Sequence, residues 1–136
     1  MSIEGRILAI DYGEKRVGLA LSDPMRMFAK PLCILANDAK LIPELLNIIR
    51  TQGVSMLLLG MPYAIDGSLT PKTMETQAFA EQLTQSVSIP VQCYDERYST
   101  CEADAELKRM GYTWQEAKKV KDAMAACMFL KNYLER

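Results

Sequence analysis

The stretch "SMLLLG", residues 55–60, is apolar without alternation. A strand with both faces in a core reads this way, and such strands belong to sheets covered by helices on both sides. At 136 residues the chain can build one domain with a real core, so residues 1–136 are read as a single domain.

Around that strand the other elements follow in order. Arg6 to Ile10 and Val17 to Ser22 read as two strands joined by a short turn at Gly13, an antiparallel hairpin. "AKPLCIL" (29–35) reads as a third strand, which Pro31 either places at an edge or lets begin only after the proline. A helix follows, capped by Asn37 or Asp38, with Leu41, Leu45, Ile48 and Ile49 at helical spacing and Gly53 closing it. After "SMLLLG" and the loop "MPYAIDGSLT", Thr70-Pro71 marks the start of a helix whose face is Met74, Ala78, Phe79 and Leu83. "IPVQCYDE" is the last strand. Ser99 with Glu102 and Thr113 with Glu116 fit capping boxes, the first helix ending near Gly111 and the second running to the C-terminus with an interruption around Lys118 to Lys121. The expected fold is α/β: a mixed sheet, antiparallel over its first three strands and then parallel, flanked by helices. Its first strand should lie in the middle, with Ile10, Leu57, Leu58, Leu59 and Val91 buried.

Composition narrows the chemistry. The formal net charge is −1, so no global positive field gathers nucleic acid, and any such contact needs a local basic patch. No apolar run approaches the roughly 20 residues of a membrane span, and the N-terminus lacks signal-peptide features. A cytoplasmic protein without a membrane partner is expected. The four cysteines, Cys33, Cys93, Cys101 and Cys127, form no CxxC pair, and with three of them inside apolar segments buried free thiols are favoured over a disulfide or zinc site. There is no histidine, which removes imidazole bases and ligands together.

What remains for catalysis is carboxylate, and the acids fall at telling places. Asp11 ends the first strand, and Asp95 and Glu96 end the last. Asp122 lies near the start of the final apolar helix, on a side continued by Ala126, Phe129 and Tyr133. An acid heading an apolar face is costly unless paired or metal-bound. Each also has a plain structural reading: Asp11 as a turn residue, Asp95 or Glu96 as a partner for Arg97, Asp122 as a first-turn acid. Converging at the ends of neighbouring strands, they would form a hard oxygen site for Mg²⁺ or Mn²⁺ rather than zinc.

Four blocks carry a family resemblance: "ILAIDYGEKRVGLALSD", "LLLGMPYAIDGS", "YDERYST" and "KDAMAACMFLKNYLE". In order and spacing they resemble the YqgF family, also called RuvX, of pre-16S rRNA nucleases and Holliday-junction-resolvase-like proteins with an RNase H-like fold. The resemblance covers nearly the whole chain. It implies that Asp11, Glu96 and Asp122, with Asp95 beside Glu96, form a catalytic metal site. It also implies that Gly13, Arg16, Gly18, Gly60, Pro62, Gly67, Arg97, Ser99 and Thr100 line or shape it. The fourth strand ends Leu59-Gly60-Met61, where many members of the wider superfamily carry an acid, so the acid of "DER" must substitute from the neighbouring strand.

The chemistry so implied is phosphodiester hydrolysis with two Mg²⁺ or Mn²⁺ ions, one orienting water and one stabilising the leaving oxygen. Lys15, Arg16 and Arg97 would hold flanking phosphates. RNA, in maturation of the 5′ end of pre-16S rRNA, is the expected substrate, with DNA junctions the alternative; oligomeric state stays open. Two rivals remain. The Asp-x-Gly opening also resembles the phosphate-binding hairpin of actin- and hexokinase-type ATPases, which need two such domains. A non-catalytic RNA or transcription-complex binding protein is the other.

Overall fold

The computed structural model describes residues 5–95, 109, 111 and 113–135, the side chains of 114–122 excepted. Five strands, β1 (Arg6–Tyr12), β2 (Arg16–Ser22), β3 (Ala29–Ala36), β4 (Val54–Met61) and β5 (Val91–Asp95), form one sheet in the order β3-β2-β1-β4-β5. β1–β2 and β2–β3 pair antiparallel, while β1–β4 and β4–β5 pair parallel. The first strand is central, as the sequence leads one to expect. Three helices are described: α1 (Leu41–Gln52), α2 (Pro71–Ser86) and α3 (Trp114–Glu135).

Strand alternation divides the core. Ile7 and Ala9 of β1, Ala20 of β2 and Met56 and Leu58 of β4 face α3, meeting Met124, Cys127 and Phe129. Leu8, Ile10, Leu19, Leu57 and Leu59 face the other way, against Leu41 and Leu45 of α1 and Phe79 and Leu83 of α2. Leu57, Leu58 and Leu59 are fully buried, so "SMLLLG" is covered on both faces. Fully burying side chains of this size contributes about 1.5–3 kcal/mol each.

Several local expectations need correction. Val91 is half-buried rather than buried, because β5 is an edge strand among the described residues. Neither Asn37 nor Asp38 caps α1: Lys40 holds the cap position without a side-chain bond, and Asp38 forms a turn by accepting from the Lys40 amide at 2.9 Å. Gly53 does close α1 in the left-handed region, φ 66°. β3 is an edge strand, with its register shifted between Leu19 and Ala20, opposite Pro31.

α2 starts at Thr70 as expected, with a full capping box to Thr73. Its rotation differs, however. Thr73, Thr76, Phe79 and Leu83 are buried, Met74 is 60% exposed and Ala78 is exposed. The Thr73 hydroxyl donates to the Pro62 carbonyl at 2.6 Å and the Thr76 hydroxyl to Lys72 at 2.8 Å. Satisfied in this way, two threonines take the inner face that hydropathy assigns to Met74 and Ala78. α3 is continuous, without the interruption expected at Lys118 to Lys121; lysine is a good helix former, so a run of it need not break one.

The cysteines also differ from expectation. Cys127 is buried, but Cys33 is half-buried and Cys93 exposed, both on edge strands. None of the three is in a disulfide, and burial pushes the Cys33 thiol up. Cys101 and the helix expected from Ser99 fall outside the described residues, except Arg109 and Gly111. Among the described residues no helix is long and apolar enough to cross a membrane.

Candidate active site

Asp11 lies in β1, half-buried, on the parity of Ile7 and Ala9. It therefore projects on the α3 side of the sheet. Its antiparallel partner on β2 is Gly18. On the other side Ile10 pairs with Leu59, which brings Gly60 alongside Asp11, and Gly60 pairs with Tyr94. The acid is thus flanked on both neighbouring strands by residues without a side chain. On the sheet, therefore, the positions on either side of this carboxylate at the end of the central strand carry no side chain of their own.

α3 crosses this face. The Tyr133 hydroxyl donates to Gln92 Oε1 at 3.3 Å and lies 3.9 Å from Met56 Sδ, near the starts of β5 and β4. Phe129, one turn earlier, packs tilted against Tyr94 near the end of β5, centroids 6.4 Å apart. The helix therefore runs from the carboxyl edge of the parallel strands toward their amino edge. Residue 122 precedes Phe129 by two turns, about 10 Å along the axis, on the half of α3 nearer the end of β1 where Asp11 sits.

The hairpin that follows Asp11 is braced from outside. Asn37 donates its side-chain amide to the Gly13 carbonyl at 2.7 Å, and its backbone amide bonds the Lys15 carbonyl at 2.9 Å. A Cβ on Gly13 would lie 2.5 Å from the Arg16 carbonyl oxygen, so only glycine fits this turn. Lys15 and Arg16 stand exposed at its tip. Beyond β4, Pro62 anchors Thr73, and Gly67, φ 87°, closes a tight turn through its amide to Ala64 at 2.8 Å.

The remaining candidates are only partly placed. Asp95 ends β5, one residue after Tyr94; Tyr94 packs on the α3 side and Val91 on the α1/α2 side, so the alternation gives Asp95 the face away from Asp11. Glu96, Arg97, Ser99 and Thr100 lie outside the described residues, as does the Asp122 side chain. Among the described residues no three acids or thiols come together as a metal site.

One feature carries no signal in the sequence. Tyr12 stacks on Phe79, with centroids 4.1 Å apart and planes 19° apart, and cavities open beside the pair. The two residues lie far apart in the chain, and no spacing rule links them.

The fold is that of RNase H-like junction resolvases. It aligns with Thermus thermophilus RuvC in complex with Holliday junction substrate at TM-score 0.61 and 12% identity, over 95% of this chain and 92% of that one. The Fowlpox virus resolvase in a Holliday junction DNA complex aligns at TM-score 0.57 and 11% identity, over 96% and 99%. The sequence is more specific: residues 5–136 match the RuvX family, described as Holliday junction resolvase, and the chain belongs to that family. Its relatives include proteins named "Putative pre-16S rRNA nuclease". That of Maridesulfovibrio salexigens is 38% identical over 96% of this chain and 98% of its own length, and that of Dictyoglomus turgidum 34% over 96% and 94%.

Proposed function

We propose that this protein is a metal-dependent endonuclease that cleaves structured RNA, maturing the 5′ end of pre-16S rRNA in the cytoplasm during ribosome biogenesis. The observation that carries the reading is Asp11 on the central strand, opposite Gly18 and beside Gly60, beneath the helix that contains residue 122. The names of the relatives support the choice of RNA.

Asp11, Glu96 and Asp122 hold the cation or cations. Glu96 is assigned ahead of Asp95 because Asp95 has the opposite parity from Asp11. The donor set is all carboxylate, which fits Mg²⁺ or Mn²⁺. Two such ions, when bound, supply an activated water for in-line attack and charge stabilisation at the leaving oxygen. The chain's own part is placement: Asp11 is fixed by a paired central strand, and the glycines beside it leave room for a phosphodiester. Lys15 and Arg16 at the braced hairpin, with Arg97, Ser99 and Thr100 after β5, hold flanking phosphates.

The family's description favours a second reading, cleavage of four-way DNA junctions. One comparison separates them: a pre-16S 5′ leader hairpin, an unstructured RNA and a four-way DNA junction, each with Mn²⁺ and with EDTA. Cation-dependent cleavage of the leader above the others is expected. Preferential junction cleavage replaces the RNA reading, and cleavage of none rejects a nuclease.

A further inference from the structure

Tyr12 follows Asp11 directly, so the two side chains point to opposite faces of the sheet. The Tyr12 ring rests on Phe79 of α2, which is almost fully buried and backs it from the core. Two cavities of about 280 and 350 Å³ open here, and Tyr12, Glu14 and Glu75 line both. Lys72 completes the first, and Asn37 and Gln82 contribute to the second. Among the described residues the side chains of Glu14, Lys72, Glu75 and Gln82 make no hydrogen bond or ion pair, so their polar atoms are available to a ligand.

The chemistry of this groove excludes a phosphate, since two carboxylates accept hydrogen bonds only and repel an anion. It fits a flat group that presents N–H donors beside an aromatic ring. Unpaired RNA bases are taken up in this manner, stacked on an aromatic and bonded along an edge. Guanine matches best. Its N1–H and N2 amino group are adjacent donors that a carboxylate accepts in bidentate fashion, and its O6 is an acceptor for the Lys72 ammonium. Cytosine and adenine offer one amino group each, and uracil a single imide N–H.

We propose that the Tyr12 groove binds an unpaired guanine of the RNA substrate, at a nucleotide other than the scissile one because Tyr12 and Asp11 point to opposite faces of the sheet. This rests on the nuclease reading above. It makes Tyr12, Glu14 and Glu75 specificity determinants on the sheet face opposite the carboxylate site.

The test uses the full chain with Asp11→Asn, to suppress cleavage, and short single-stranded RNAs, uridine throughout except for one guanosine, inosine, cytidine or adenosine. The guanosine RNA should bind about tenfold tighter than all-uridine RNA. Inosine, lacking the N2 amino group, should lose most of that gain. Glu14→Gln with Glu75→Gln, both at exposed positions, should erase it, and Tyr12→Leu should weaken binding of the guanosine, cytidine and adenosine RNAs alike. A guanosine RNA bound no more tightly than all-uridine, or a preference that survives the double glutamine change, overturns the groove. If wild-type protein still cleaves structured RNA in that case, the groove alone falls. If wild-type protein neither binds nor cleaves RNA with Mn²⁺ present, both readings fall.

Discussion

Asp11 and Gly18 are cross-strand partners between β1 and β2, so the position beside the acid on the α3 face carries no side chain. Gly18→Ala puts a methyl group on that face. Cleavage should fall about tenfold to a hundredfold, the scale of a small misplacement of reacting groups. Stability should change by no more than about 1 kcal/mol, since alanine is not a worse strand residue than glycine. Single-turnover cleavage with a urea titration checks both, and full activity would show the bare position to be unused.

The hairpin brace predicts a graded pair. Asn37→Ala removes the bond to the Gly13 carbonyl and should cost about 1 kcal/mol. Gly13→Ala should cost more, about 1–3 kcal/mol, because its Cβ would meet backbone oxygen that cannot swing aside. Urea denaturation of the two variants decides; a neutral Gly13→Ala contradicts the close approach.

Thr73 links α2 to the end of β4. Its hydroxyl accepts from the Thr70 amide at 3.1 Å and donates to Pro62 at 2.6 Å. Thr73→Val keeps the shape, strands the Pro62 carbonyl and should cost about 1–3 kcal/mol. Thr70→Ala should cost about 1 kcal/mol through the cap alone. Equal, negligible losses in thermal melts would show that hydrophobic packing alone positions α2.

Asp23 makes stability depend on acid. In the β2–β3 turn its carboxylate accepts from the amides of Phe28, Met27 and Met25 at 2.7, 2.8 and 3.2 Å. The Phe28 amide above all holds its pKa below the ordinary 3.8. A depressed folded pKa stabilises the fold above the unfolded value, and that stability is lost as pH falls through the folded one. The difference in melting temperature between wild type and Asp23→Ala should therefore be constant at neutral pH and shrink only below about pH 4. A difference that persists unchanged into stronger acid would remove the charge from the explanation.

The sequence was most legible where one local force decides. The unbroken apolar run of β4 needs two covered faces, Gly53 needs φ > 0, and Pro71 needs a helix start, and all three stand as read. It was least legible where a distant partner intervenes. Asn37 looks like a helix cap, but the Gly13 carbonyl captures its amide. Met74 looks like core, but the Pro62 carbonyl draws Thr73 inward and turns the helix. The acid on the central strand could be read from Asp11 and its family blocks, whereas the Tyr12–Phe79 groove could not, because it exists only once α2 has packed.

Cleavage of the pre-16S 5′ leader by wild type and Asp11→Asn, across a Mn²⁺ titration, tests the central claim most directly. Asparagine keeps the shape and removes the charge, so binding of RNA should survive. Wild-type cleavage should rise with Mn²⁺, and Asp11→Asn should be inactive at every concentration. Cation-dependent cleavage at the wild-type rate by Asp11→Asn would contradict that claim.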